Sequence, residues 1–343
     1  KHGHHDEGLK SVYLILKLLV ELLTKKKIPD TYMYINPRDL PVFKTIKVGN
    51  TTKLAHPYPY LYPGYSMYVE QNRLNSLYNV SSFGKIYSGC VATGYSDIPI
   101  PTDDDIKANL WPRPVNDLEP KIPEWSSRSP VLLFRGSATG RHIDLRNPRI
   151  QIAAISKAYP LMVDAALTSF NRRMKVTSSD GTCEYINLNK TLDLRRSKTS
   201  KPVKISDLAG KFMNIGEQLK YKYTIDLPGH SAAYRLPRLL SNGYVVIKLE
   251  SPYKLWFEIG SKSVPKLYGL TYNEINESNV HSVQYVKLNS SDGTINIDKL
   301  LDTIAFLRKH DHYAKQISEN AVAYHTKYLR SGGMLDYMED ILT

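Results

Sequence analysis

The residues best suited to chemistry cluster in two stretches of this 343-residue sequence. The first is 219–260, LKYKYTIDLPGHSAAYRLPRLLSNGYVVIKLESPYKLWFEIG. Its residues 221–227 read as a strand, Pro228-Gly229-His230 as a sharp turn, 231–240 as a helix closed by Asn242-Gly243, and 244–249 as a second strand. Parallel strands need such a helical crossover, so this is one βαβ unit. Ligands of these sheets bind beyond the carboxyl ends of the strands. Here that place is held by Gly229, His230, Ser231 and Ala232, small enough for the most part to let a ligand approach the backbone. Arg235 is expected one turn inside the helix, on the face of Ser231. A cation there opposes the helix dipole unless an anion lies beside it, so the helix is expected to face a phosphate.

The second stretch is Phe134-Arg135-Gly136-Ser137-Ala138-Thr139-Gly140, after a short apolar strand at 131–134. A strand followed by small residues outlines a phosphate cradle, with Arg141, Arg146 and Arg149 as cations suited to bidentate phosphate contacts. The Walker pattern GxxxxGK[ST] is absent. By itself such a segment is as well read as a surface loop; opposite 229–235 it makes a second wall around one diphosphate. Three further features are weaker. Asp39, between Pro37 and Pro41 after a strand at 31–36, suits a general base or a plain turn. Ser96-Asp97-Ile98-Pro99 is a turn. Asp103-Asp104-Asp105 suits a metal or, more commonly, the cap of a following helix. His281, alone at the start of a late strand, reads as structural.

The totals bound the partners. A net charge of +13 points to an anionic one, whether nucleic acid, acidic membrane or a nucleotide. The basic residues are dispersed, however, and no aromatic and basic single-strand motif accompanies them. The two cysteines, Cys90 and Cys183, allow no metal spacing and suit a reducing compartment. The apolar stretch 11–23 is too short to span a bilayer, and Lys17 and Glu21 break it at helical spacing. No signal peptide is apparent. The histidines at 2, 4 and 5 have no second ligand cluster, so no metal is expected.

Positioning these groups takes an alternating series of elements. Helices are expected at 9–27, 150–159, 205–218, 297–310 and 313–329, with a last one after Gly332-Gly333. Short strands are expected at 31–36, 85–93, 161–165 and 282–288, besides those already named. Residues 44–82 and 171–202 read as irregular. The series splits near residue 125, which predicts an α/β protein of two Rossmann-like lobes facing a cleft.

Taken together, YINPRDLP, FRGS…RNPR and KYKY…GHSAAYRLPRLL…YKLWF resemble the CAP10-type glycosyltransferases, glycosyltransferase family 90, from about Leu9 to the C-terminus. The family includes protein O-glucosyltransferases, O-xylosyltransferases and capsule xylosyltransferases, with bacterial and viral relatives. The resemblance implies a GT-B-type architecture: an acceptor and base lobe over 1–124, a nucleotide-sugar donor lobe over 125–312, and helices at 313–343 returning toward the first lobe. It implies an inverting transfer from a UDP-sugar without an essential metal. Asp39 matches the family's general base in N-R-D-x-P, and Ser137 the donor-contacting serine of F-R-G-S, with Arg135, Gly136 and Thr139 around it. Arg146 best matches the first diphosphate arginine, with Arg141 and Arg149 as rivals, and Arg235 matches the second. Residues 229–232 match the loop under the phosphates, and Ser96 and Asp97 an acceptor-side segment. Two departures are Ala138, where many animal members have arginine, and Gln284 in VHSVQYVKL, where proline is usual.

The function this implies is transfer of xylose or glucose from a UDP-sugar to a hydroxyl of a glycan or glycoprotein. Nucleic acid is not expected as a partner, nor an integral membrane segment. The compartment expected is the cytosol, because secretory members carry several disulfides. The alternative is a non-catalytic glycan- or nucleic-acid-binding module. It is weakened because Asp39 and Arg235 are both retained. A phosphorylase or epimerase is a more distant reading, and a nicotinamide-type GxGxxG is missing.

Overall fold

A computed structural model describes residues 3–26, 28–31, 33–36, 41, 44–48, 51–55, 85–110, 121–140, 142–170, 175–177, 183–194 and 202–343. Asp39 and Arg141 lie outside them. Helix α1, Gly3–Lys25, leads to the short strands β1, Tyr34–Asn36, β2, Ile86–Ser88, and β3, Ile98–Pro99, and then to helix α2, Asp103–Leu110. The three strands form a parallel sheet in chain order.

The larger sheet is built from β4, Ser129–Ala138, β5, Val163–Phe170, β6, Tyr221–Asp226, β7, Val245–Leu249, β8, Gly269–Leu270, and β9, Tyr285–Leu288. Its order is β8-β9-β7-β6-β4-β5, and every pairing is parallel. The chain steps from β4 outward to β5 and then returns to the far side of β4 as β6. The carboxyl ends of β4 and β6 therefore flank a topological switch point, where open α/β sheets bind ligands.

Parallel sheets are covered on both faces, so their strands read as continuous apolar runs. In β7 the alternation divides the side chains between two cores. Val245, Ile247 and Leu249 join one with Ile152, Ile155, Leu300 and Ile304. Tyr244 and Val246 face the other, with Leu18 and Leu22 of α1, Ile106 of α2, Trp256 and Met338. Helix α3, Pro148–Ala158, buries Ile150 through Ile155 against the first core. The chain closes with α4, Leu236–Ser241, α5, Ile297–Lys309, α6, Asp311–Tyr324, which runs into a π-helical turn at His325–Leu329, and α7, Ser331–Leu342. The second core ties the ends of the chain together. The Tyr337 hydroxyl donates to the Pro99 carbonyl at 2.7 Å, and Lys26 pairs with Asp336 at 2.7 Å and Glu339 at 3.1 Å.

Several boundaries differ from the sequence reading. The helix expected at 231–240 begins only at Leu236. A start at 231 would put Pro237 in the helix interior, where it lacks an N–H and crowds the carbonyl four residues back; starting at Leu236 places it in the first turn. Residues 135–138, expected as a loop, continue β4, with a register shift between Gly136 and Ser137. The helix expected across 205–218 is two short pieces, Ile205–Leu208 and Ile215–Gln218, the second closed by an Asn214–Glu217 capping box. Part of the supposed irregular insertion pairs instead, 175–177 with 183–185 and 191–192 with 203–204. Gly332 and Gly333 lie inside α7 rather than before it. A Cβ on Gly333 would sit 2.1 Å from the Tyr328 carbonyl oxygen, so the glycine lets the helix start against that turn.

One buried carboxylate joins the two ends of the second core. Asp105 Oδ2 accepts from the Thr102 backbone N–H at 2.9 Å, the Thr102 hydroxyl at 3.0 Å and Trp256 Nε1 at 3.1 Å. Burial pushes the Asp105 carboxyl up to about 6 despite these donors. An acid whose folded pKa lies above its unfolded value loses its proton first from the unfolded chain as pH rises. Its contribution is therefore greatest below about pH 4 and is lost as pH passes 6. Two units correspond to roughly 3 kcal/mol at most. Urea midpoints measured between pH 4 and 7 should fall for the wild type relative to Asp105→Asn; parallel curves would remove Asp105 as the source.

Candidate donor site

The site is built on carbonyls. A parallel strand ends with backbone oxygens that its neighbours do not fully use, and buried carbonyls need donors. Two arginines supply them at the switch point. Arg149, on the first turn of α3, reaches across the ends of β4 and β6. Its Nη1 donates to Ser137 O at 3.1 Å, its Nη2 to Leu227 O at 3.1 Å and its Nε to Pro228 O at 3.2 Å. Arg235, at the cap of α4, donates Nη1 to Arg135 O at 3.0 Å and Nη2 to Ile225 O at 3.1 Å. Its guanidinium also lies 4.8 Å from the Phe134 ring centre. Burial pulls Arg149 down to about 9, with the charge of Arg235 adding to the fall, and burial lowers Arg235 as well. Two mutually repelling cations are thus held at one crevice by geometry.

Small residues make this approach feasible. A Cβ on Gly136 would stand 3.3 Å from Arg235 Nη1. One on Gly229 would stand 2.7 Å from Thr139 Oγ1 and 3.3 Å from Arg149 Nη2. Asn147 fixes the turn between β4 and α3. Its side chain accepts from Arg149 N at 3.0 Å and donates to Thr139 O at 3.1 Å and His142 O at 2.8 Å. A cleft lined by Asp226, Pro228, Ala232, Lys248, Ser251 and Tyr253 opens beside them. Tyr253 pairs with Ala92, which brings the N-terminal part of the chain to its rim.

The structure sorts the expected residues. Arg149 and Arg235 come together with Gly136, Ser137, Thr139, Gly229 and Ala232. Arg146 does not join them. It is exposed and folds back on Asp144, with Nη2 2.7 Å from Oδ2, whereas Arg149, the rival the resemblance left open, lies at the strand ends. Arg135 is in β4 and turns to Asp164, bonding Oδ1 at 2.7 Å and the carbonyl at 2.9 Å. Ser137 Oγ accepts from Ser169 Oγ at 2.7 Å. Ser231 is buried and His230 half-buried, and the Gly229 N–H is already given to Ser231 O at 3.2 Å. The cradle is therefore made of guanidinium groups rather than of helix N–H groups.

On the other side of the chain, Ser96 is exposed and Asp97 is buried. Asp97 Oδ1 accepts from Ser88 Oγ at 2.5 Å, and that hydroxyl accepts from Asn36 Nδ2 at 3.0 Å. The relay joins strand ends of the small sheet, with Asn36 three residues before Asp39 in the sequence. Reading residues one at a time missed Asn36 and Ser88; their shared place at the ends of neighbouring parallel strands was the available signal. Among the described residues, no group of three or more His, Cys, Asp or Glu side chains could hold a metal, and no helix is long and apolar enough to cross a membrane.

Two arginines over a switch point mark a place where an anion fits. The family model of glycosyl transferase family 90 matches residues 8–343. The chain belongs to glycosyl transferase family 90. Among similar proteins, uncharacterized protein 179R of Invertebrate iridescent virus 6 is 26% identical over 98% of this chain and 28% of its own length. Protein O-glucosyltransferase 3 of Mus musculus is 26% identical over 72% of this chain and 38% of its own. Protein O-glucosyltransferase 2 of Danio rerio is 24% identical over 92% and 47%. This member of the family thus spans less than half the length of these relatives.

The two arginines make different demands on the fold. Arg146→Ala should leave the unfolding free energy within about 0.5 kcal/mol, as exposed substitutions do. Arg149→Ala strands three carbonyls at the ends of β4 and β6 and should cost about 2–3 kcal/mol. Chemical denaturation of both variants checks this, and equal losses would contradict the placement of Arg149.

Proposed function

We propose that this chain transfers a sugar, xylose or glucose, from a UDP-sugar to a hydroxyl of a glycan or protein, with inversion at the anomeric carbon. The observation that carries the reading is the Arg149–Arg235 pair at the switch point of a family 90 glycosyltransferase sheet. A guanidinium pair without an equal number of adjacent carboxylates favours a dianionic group, and a diphosphate suits it. Both side chains keep N–H groups beyond those given to carbonyls.

In this reading the bond from the anomeric carbon to the β-phosphate oxygen breaks as the acceptor oxygen attacks from the opposite face of the sugar. Negative charge grows on the departing UDP, and Arg149 and Arg235 stabilise it without reorganising. Asp39 takes the proton of the attacking hydroxyl, a contribution of about 10²–10⁴-fold. Its assignment rests on the NPRD match alone. Ser137 and Thr139 contact the donor, Asp97 belongs to the acceptor side, and no metal is needed for the leaving group. In this reading the protein is assigned to two lobes closing on the donor and, because its two cysteines contrast with the several disulfides of secretory members, to the cytosol.

A UDP-release screen across UDP-sugars, with isothermal titration of UDP, tests the reading. Asp39→Asn should abolish turnover while UDP still binds. Arg235→Ala should weaken UDP binding by about tenfold or more. Full turnover in Asp39→Asn would sink the base assignment, and wild-type protein that binds no UDP would sink the donor.

A further inference from the structure

The proposed reaction leaves one buried carboxylate at the site without a task. Asp226 ends β6 and is 3% exposed. It lies opposite Lys248 in the register of β6 and β7, on the same side of the sheet. Its Oδ1 is buried without a hydrogen-bond partner and stands 3.9 Å from Arg235 Nε, which is likewise buried without one. That distance is too long for a hydrogen bond. Arg235 is instead held by the Arg135 and Ile225 carbonyls and the Phe134 ring. What Asp226 supplies to Arg235 is therefore charge, not placement.

The surrounding charges explain why it is needed. Arg149, Arg235, Lys248 and Lys254 are four cations around three carboxylates, Asp226, Glu258 and Glu250, and Glu250 is paired with Lys254 at 2.9 Å. Glu258 is engaged elsewhere: its Oε1 is 3.1 Å from Lys248 Nζ and its Oε2 accepts the Leu255 N–H at 3.0 Å. Burial lowers both arginines, and Asp226 is the carboxylate that opposes the fall at each. Burial in turn raises the Asp226 carboxyl against the pull of Lys248, Arg235 and Arg149. The carboxylate and the guanidinium pair support one another until an anion arrives.

We propose that Asp226 is the built-in counter-charge of the donor site: it offsets the Arg149–Arg235 pair in the empty enzyme and limits how tightly the site holds UDP. The proposal rests on the reading that these arginines meet the diphosphate. Asp226 touches no substrate in it; it is a tuning residue, and product release is the step it serves. A carboxylate a few ångströms from the cations, at the wall of the same cleft, subtracts from the potential felt by a phosphate beside them, in a setting where water screens little.

Asp226→Asn keeps the shape and removes the charge. Isothermal titration should find UDP bound about tenfold more tightly than by the wild type, with uridine, which lacks the phosphates, unchanged. The variant should show the larger rise in melting temperature on adding UDP, because ligand binding to the folded state adds stability. Steady-state assays should show kcat and donor KM falling together. Asp226→Glu, which retains the charge, should keep UDP affinity within about threefold of the wild type. UDP affinity in Asp226→Asn equal to or below that of the wild type overturns the proposal, as does an equal gain for uridine. If the empty variant does not fold, expression and refolding in UDP should restore it, and failure in both conditions also overturns the proposal. Wild-type protein that binds no UDP defeats the donor reading itself, whereas normal UDP binding without the gain in Asp226→Asn defeats only the role of Asp226.

Discussion

Carbonyl oxygens at the ends of two parallel strands are the constraint around which this structure is arranged. At the switch point, β4 and β6 end with Ser137, Leu227 and Pro228 facing a crevice, and Arg149 satisfies all three oxygens. Arg235 does the same one layer back, at Arg135 and Ile225. The backbone needs these donors, and the donors bring charge. The same contacts that close the sheet therefore leave two cations facing a place where an anion fits.

That arrangement is rigid because both faces of the sheet are covered. The first core fixes α3, and through it Arg149; Gln151 on the same helix exchanges two hydrogen bonds with Ile295, at 2.8 and 2.7 Å. The second core packs α4, which carries Arg235 at its start, among Trp256, Tyr337 and α1. Contacts between distant parts of the chain run through this second core. Asp105 meets Trp256, Pro99 meets Tyr337, and a Cβ on Gly89 would touch the Tyr234 hydroxyl at 3.4 Å, beside Arg235. The elements that carry the small sheet and the helix that carries Arg235 thus share one packed interior.

Much of the frame was legible in the sequence. The βαβ unit, the strand before FRGS and the late helices followed from apolar runs and turn residues, since burial on both faces writes itself into composition. Legibility failed where a single residue had two permissible roles. Pro237 allows a helix to start but not to continue through it, and this shortened α4. Gly136 reads as a loop residue yet sits in a strand, where it yields space to Arg235.

By its own pattern the sequence determined that a parallel α/β sheet would form, that small residues and arginines would gather at its carboxyl edge, and which family motifs the chain carries. Only tertiary structure decided which arginine lies across the strand ends. Arg146 and Arg149 are three residues apart in a basic segment, and spacing cannot separate them. The Asn147 cap sets the start of α3, which sends Arg149 across the strand ends and leaves Arg146 in solvent on Asp144. The placement of Asp226 beside Arg235 is likewise a product of register: it lies opposite Lys248 and near Arg235 because β6 lies between β4 and β7, and no local signal in the chain carries that order.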